Sequence, residues 1–409
     1  MIMSLEREVL QSIEKSAPRL VVLTQELIRQ KSVNPPGDVS AVAQVLQDDL
    51  SSIGMDVTLH TSGAGMVNLQ AVLKGAKAKP RFLFSGHMDV VTEGDPAAWT
   101  VGPFDGAVKG DLILGRGAAD MKGGLAAIAS CLRGLVESGV KLNGEVVFHA
   151  VADEEADSIY GTKYMIKKGL ATADMGIVAE GSVFGGTIAL RPAVRGNCWL
   201  KLTTHGRAAH ASNPSNGVNA VLEMSRLLLA LEKVQFEFTP HKLLPPPTIS
   251  PGTVIRGGSK TNVIPERCEA EVDVRLVPGM TSESVVNKFN EIIKSLKIDN
   301  PTFSASVEPF AYAPAAEIDE SNPALAAAKK ATKTVVGYEP KLTAGYGTTD
   351  GAYLIHDAGI PVICGFGPGD HKTGKQHGAD ENVSITELVN FAKIYALTLM
   401  YALGYQDTS

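Results

Sequence analysis

Arg81-Phe82-Leu83-Phe84-Ser85-Gly86-His87-Met88-Asp89 reads as a buried strand that ends on two polar side chains. The apolar run 81–85 is short and rich in aromatic residues, as a strand inside a sheet requires. Residues two apart on an extended chain point the same way, so His87 and Asp89 share a face. Open α/β sheets bind their ligands at the C-terminal ends of strands, which is where this pair falls. His87 could therefore bind a metal while Asp89 fixes its tautomer and raises its basicity. A histidine in a hydrogen-bonded loop at a strand end would carry the same letters, so the pair does not decide the matter alone.

Working outward, β-rich runs at 56–59, 68–73, 144–152 and 175–179 surround this strand. Helical spacing of apolar residues recurs over 5–29, 39–53, 123–137 and 162–168. Strands that alternate with helices predict an α/β catalytic domain with a mostly parallel sheet. The texture changes at Arg191-Pro192-Ala193-Val194-Arg195-Gly196. Beyond it come a strand (197–204), a helix (218–234), strands at 252–256 and 268–276, a helix (282–295) and a strand (302–307). Two helices on a four-stranded sheet make an inserted α+β domain. After Pro309 the helix–strand alternation resumes through 323–336, 361–365 and a closing helix at 386–403. The expected division is 1–194 and 310–409 for the catalytic domain, with 195–309 inserted between them.

A chain of 409 residues, 44% hydrophobic and 20% charged, is long for a single core and suits two domains. Its net charge of −6 excludes the concentrated excess of Lys and Arg that nucleic-acid binding needs, so any anionic ligand must be held by a few placed cations. Cys131, Cys198, Cys268 and Cys364 stand far apart without a CxxC pair, which argues against a disulfide framework or a thiolate zinc site and fits a reducing cytoplasm. Neither a signal peptide nor a run of membrane-spanning length is read, so a protein free of membranes is expected.

Four further motifs carry chemistry. Gly115-Arg116-Gly117-Ala118-Ala119-Asp120-Met121-Lys122-Gly123-Gly124 brings a carboxylate into a glycine-rich loop just ahead of a helix, without the Walker phosphate pattern. Asp153-Glu154-Glu155 and Glu180 each follow an apolar strand, and Gln376-His377-Gly378-Ala379-Asp380-Glu381 offers a second imidazole with His371 as its competitor. Each alone could be a helix cap or a solvated acidic turn. Together, strand-end and loop carboxylates plus two imidazoles, with no thiolates, are the set expected for paired Zn²⁺, Co²⁺ or Mn²⁺. One Asp and two Glu against two divalent cations leave a single positive charge, which a bridging hydroxide neutralises. That arrangement also leaves Glu154 free to act as base.

At this point the chain resembles a known family, the co-catalytic zinc metallopeptidases that include acetylornithine deacetylase, succinyl-diaminopimelate desuccinylase, aminoacylase and the glutamate-releasing carboxypeptidases. SGHMDVV, GRGAADMKGG, DEE, AEG and QHGADE occur in the family's order, and the likeness runs from Lys31-Ser32-Val33-Asn34-Pro35-Pro36-Gly37 to the C-terminal helix. The resemblance implies one metal on His87, Asp120 and Glu180 and another on Asp120, Glu155 and His377. Asp120 would bridge them, with a cis peptide bond after it, Asp89 would orient His87, and Glu154 would be general base and then acid. His210, in Gly206-Arg207-Ala208-Ala209-His210-Ala211, would stabilise the oxyanion, and with Asn262 would reach the site from a partner subunit, which implies a homodimer. Arg195, Arg275 and Thr348 would contact the substrate; arginine forks pair with carboxylate in two hydrogen bonds, although an arginine on such a strand is often a structural ion pair. The implied activity is removal of an acetyl or succinyl group from an N-acyl amino acid by two divalent ions, zinc first and cobalt second. A dipeptidase or carboxypeptidase with the same metals, and a non-catalytic binding relative, are the alternatives.

Overall fold

The computed structural model describes residues 5–345 and 347–406, in two compact units. One is Val194–Ala316 with the stretch that ends at Thr348; the other is the rest of the chain. In the larger unit a six-stranded sheet has the order Asp56–Gly63, Met66–Leu73, Glu145–Val151, Arg81–His87, Met175–Val178, Val362–Ile363. The last four strands run parallel to one another. Met66–Leu73 is antiparallel to both of its neighbours, Asp56–Gly63 and Glu145–Val151, so this one reversed strand makes the sheet mixed while the other strands keep the mostly parallel order the sequence suggested. Only two residues join Asp56–Gly63 to Met66–Leu73, with Gly65 at φ +73°, and a connection that short closes only an antiparallel pair.

Alternation along the strands gives both sheet faces a core. Phe82, Phe84, Val146 and Phe148 pack with Val9 and Ile13 of helix Leu5–Arg29, Leu125 and Ile128 of Gly123–Glu137, and Phe391 and Tyr395 of Ile385–Leu403. Leu83, Val147 and Val151 face Met165 and Leu354 from helices Thr162–Lys167 and Asp350–His356. Each such side chain contributes about 1.5–3 kcal/mol on burial, which pins the strand register and with it the strand ends.

The smaller unit is an antiparallel sheet in the order Thr248–Gly257, Arg267–Leu276, Gly196–His205, Ala305–Ala313, with helices Ala220–Leu231 and Ser282–Asp299. Strict alternation of burial along Arg267–Leu276 marks one face as core. The last strand does not stop at 307: it runs through Pro309 to Ala313, and the unit extends to Ala316 rather than 309. Proline is tolerated there because the strand lies at the sheet edge and its register shifts where Trp199 pairs with Ala311 but Leu200 with Pro309. No helix among the described residues is long and apolar enough to cross a membrane, and the four cysteines are buried and unbridged.

Candidate metal centre and active site

Three neighbouring parallel strands discharge at one edge of the larger sheet. Arg81–His87, the middle one, ends on His87, level with Val151 of its neighbour, whose chain continues into Asp153-Glu154-Glu155. On the other side Met175–Val178 leads to Glu180, and Ala179 N donates to Ser85 O at 2.9 Å. Asp120 arrives from the loop ahead of helix Gly123–Glu137, its bond to Met121 cis. In the first turn of that helix, a Cβ on Gly124 would lie 2.4 Å from Ala179 O, so glycine is what lets the Asp120 loop close on the chain leading to Glu180. His377 comes from a loop in which Lys375, His377 and Asp380 all take positive φ.

Asp120 stands between the two imidazoles, with Oδ1 3.1 Å from His87 Nε2 and Oδ2 3.3 Å from His377 Nε2. Ligating atoms of His87, Asp120 and Glu155 lie within 4.8 Å of one another, and so do those of His87, Glu154 and Glu180. The resemblance placed Asp120 beside Glu180 in that second set; here Glu154 completes it. Glu155 Oε1 is buried, 3.4 Å from His377 Nε2, and makes no hydrogen bond of acceptable geometry.

The titration behaviour shows a cluster short of positive charge. Burial, aided by Asp120, pushes the Glu180 carboxyl up to about 8 against the pull of His87 and Arg191. Burial also carries Glu154 well above the usual carboxylate range, with His87 opposing and Glu180, Asp350 and Glu155 adding to it. His377 is pushed up to about 10 by its contacts with Asp120 and Glu155, and His87 rises well above an ordinary imidazole because Asp120 and Glu154 outweigh its burial. In the same cluster Asp120 is driven far down by the two imidazoles despite its burial. Protons are held where cations would neutralise the carboxylates, and an oxygen-and-imidazole donor set with an orphaned buried carboxylate oxygen fits divalent metal.

His87 Nδ1 donates to the main-chain Asp89 O at 2.9 Å, which leaves Nε2 facing Asp120, while Asp89 Oδ1 stands 3.7 Å from Nδ1. That carboxylate instead accepts from Glu154 N and Glu155 N, both at 3.1 Å, and so fixes the acidic turn. Asn34 joins the turn from below, donating to Asp89 Oδ2 at 2.9 Å and Asp153 Oδ1 at 3.2 Å. Asp350, which accepts from the Ser158 and Thr162 hydroxyls, anchors its far end. None of these anchoring contacts was read from the sequence. Asn34 lies within Lys31–Gly37, where the resemblance begins, and that was the available signal. His371 is not brought to the centre: it stacks on Phe184, approaches Gly181 O, and is lowered to about 4 by burial and by Arg191.

In the smaller unit His210 and Asn262 lie on adjoining strands of a short ribbon, with His210 paired to Val263 and Ala211 N donating to Asn262 O. Exposed His210 accepts from Ser212 N at Nδ1, so its neutral ring carries the proton on Nε2. Arg195 is buried, its Nη2 turned to Pro246 O, Thr248 Oγ1 and Arg275 O. The half-exposed Arg275 pairs with Asp273 at 2.8 Å, and Thr348 donates to Arg195 O and shares a hydrogen bond with Asn197 Oδ1.

Comparison with known proteins agrees with this architecture. The chain is 29% identical to the N-formyl-4-amino-5-aminomethyl-2-methylpyrimidine deformylase of Halalkalibacterium halodurans, over 98% of this chain and 97% of that one. It is 32% identical to the succinyl-diaminopimelate desuccinylase of Paracoccus denitrificans, over 91% and 95% respectively. An M20 family metallo-carboxypeptidase from Sulfolobus solfataricus shares the fold, with a TM-score of 0.77 over 94% of this chain and 99% of that one at 19% identity. The profile of peptidase family M20/M25/M40 matches residues 83–401, from the strand that carries His87 into the closing helix, and the chain belongs to that family.

Proposed function

We propose that this protein is a metal-dependent deacylase that removes an acetyl- or succinyl-type group from an N-acyl amino acid. The observation that carries the reading is Asp120, one carboxylate oxygen facing each of two imidazoles, with Glu155 grouped with it and His87, and Glu180 grouped with His87 and Glu154. His87, Asp120 and Glu180 would hold one divalent ion and Asp120, Glu155 and His377 the other, zinc being the first choice and cobalt the second for this donor set. When bound, such ions supply Lewis acidity toward the scissile carbonyl and an acidified water.

The chain's own residues supply the remaining steps. Glu154, half-buried and held by its main-chain N–H on Asp89, takes the proton of the attacking water and delivers it to the departing amine nitrogen. Its raised affinity for a proton suits a group that must hold one between the two transfers. His210 donates from Nε2 to the developing oxyanion. Following the resemblance, His210 and Asn262 do this for the partner of a homodimer. Arg275 is the side chain of the substrate set with a guanidinium open to solvent, and we assign it the substrate carboxylate, Arg195 and Thr348 holding its surroundings in place.

The names of the deformylase and desuccinylase relatives favour acyl removal over peptide cleavage. The test is elemental analysis followed by a zinc- or cobalt-loaded screen over N-acetyl, N-succinyl and N-formyl compounds and dipeptides. Turnover of an N-acyl amino acid with two ions per chain is expected. Turnover of dipeptides alone would replace the reading with a peptidase, and saturation at one ion would remove the dinuclear site.

A further inference from the structure

Glu381 lies four positions beyond His377, yet its side chain works on the other loop of the centre. Oε1 accepts from Ala119 N and Asp120 N, each at 3.0 Å, and Oε2 takes Arg116 Nη1 at 2.6 Å. Glu381 is fully buried and Arg116 is 1% exposed. The Arg116 guanidinium sits over the Trp99 ring, 5.3 Å from its centroid, and Arg116 N donates to Pro103 O. Main-chain bonds complete the junction: Gly115 N donates to Glu381 O at 2.8 Å, and Asn382 pairs with Leu114. Next door, Asp380 Oδ1 accepts from Thr100 N and Thr100 Oγ1.

Stability alone is a poor reason for such an arrangement. A fully buried ion pair generally stabilises no more than a well-packed apolar pair of the same volume. What this pair does that an apolar one cannot is satisfy two main-chain donors, one of them on Asp120 itself. The same carboxylate therefore joins the loop that presents Asp120 to the loop that presents His377, the two groups whose side chains approach to 3.3 Å. Removing the acceptor would release the Asp120 main chain and leave the junction to the main-chain bonds at Gly115 and Asn382, neither of which reaches Asp120.

We propose that Glu381, held by Arg116, is a positioning residue that sets the Asp120–His377 spacing and thereby the affinity and coordination geometry of the metal position these two share. This inference rests on the metal-dependent reading above. Outer partners of metal ligands, when removed, typically cost about 10–100-fold in metal affinity. The Glu381 carboxylate would act at this range through the peptide group rather than through a ligand side chain.

The test uses the full-length chain with Co²⁺ and compares wild type, Glu381→Gln and Arg116→Met. Metal content after gel filtration, affinity by competition with a chromogenic chelator, and the visible absorption of bound cobalt are measured. Glu381→Gln, whose amide NH2 must face a donor at either Arg116 Nη1 or the two N–H groups, should keep its fold by circular dichroism and bind the ion between Asp120 and His377 about 10–100-fold more weakly, the other ion less affected, with an altered cobalt spectrum. Arg116→Met, which leaves the carboxylate on the two N–H groups, should show a smaller loss at the same position. A Glu381→Gln protein with wild-type affinities and spectrum would overturn the proposal, even if its melting temperature fell. If both variants fail to fold, the pair is a stability element and the proposal falls as well. Should the wild type bind no cobalt at all, the metal-dependent reading itself fails, which separates the two outcomes.

Discussion

At the scale of the residue, adjacent glutamates do different work because their surroundings differ. Glu154 has its proton affinity raised by burial and by the neighbouring carboxylates, whereas Glu155 aims a hydrogen-bond-free oxygen at the His377 side of the centre. Glu154→Gln should therefore lower kcat by at least about 10²–10⁴-fold with metal content unchanged, while Glu155→Gln should lose metal. Elemental analysis alongside kinetics decides it, and equal metal loss in both variants would contradict the assignment. Asn34 gives a second expectation at this scale, since its amide donates to both Asp89 and Asp153. Replacing it by Asp sets a third carboxylate against two others in a buried site. Asn34→Asp should cost about 1–3 kcal/mol or more in urea unfolding, with Asn34→Ala the milder change. A variant as stable as wild type would show that Asn34 does not brace the turn.

At the scale of the element, the centre depends on how closely helix Gly123–Glu137 approaches the end of strand Met175–Val178. The Gly124 hydrogen stands where a Cβ would be 2.4 Å from Ala179 O, a main-chain atom that cannot swing aside. Gly124→Ala should destabilise by about 1–3 kcal/mol through overpacking even though alanine is the better helix former. It should also weaken metal binding, because the helix can relieve the clash only by moving the Asp120 loop away from Glu180. Denaturation and chelator competition on the same preparation test both halves. Stabilisation by alanine would mean that the contact is looser than the backbone geometry implies.

At the scale of the whole molecule, metal binding and assembly become measurable together. Ions that bind the folded chain and not the unfolded one should raise stability by about 2.7 kcal/mol at a free concentration one hundred times Kd, so a chelator should lower Tm and restored metal should recover it. A chelator-insensitive Tm would argue against a centre of that affinity. If His210 serves the partner's site, Glu154→Ala and His210→Ala homodimers should each be nearly inactive, yet mixing them should restore about a quarter of wild-type activity. About half of the dimers are then mixed, and one of their two sites has both groups intact. No recovery after exchange proved by co-purifying tags would place His210 in its own chain's service. How far the chain could be read without coordinates follows from the range of each interaction. Apolar periodicity is local, so the strand that ends on His87, the flanking helices and the two-helix, four-strand make-up of the inserted segment were legible, and the ordered motifs identified the family. Pairing direction at the sheet edge was not legible, because it depends on a two-residue turn and on which strand Met66–Leu73 meets. Nor was the extension of the last inserted strand through Pro309, which needs an edge position and a register shift to be tolerated. The resemblance had already favoured His377 over His371, and packing accounts for the difference, stacking the one on Phe184 and bringing the other to Asp120. Sequence by itself determined which side chains could carry the chemistry, because residue type and order are enough to state a donor set. Only the tertiary structure decided what holds them, since the contacts of Asn34 with Asp89, Asp89 with the acidic turn and Glu381 with the Asp120 loop join residues 55, 65 and 261 positions apart, across distances in the chain that no local pattern reports.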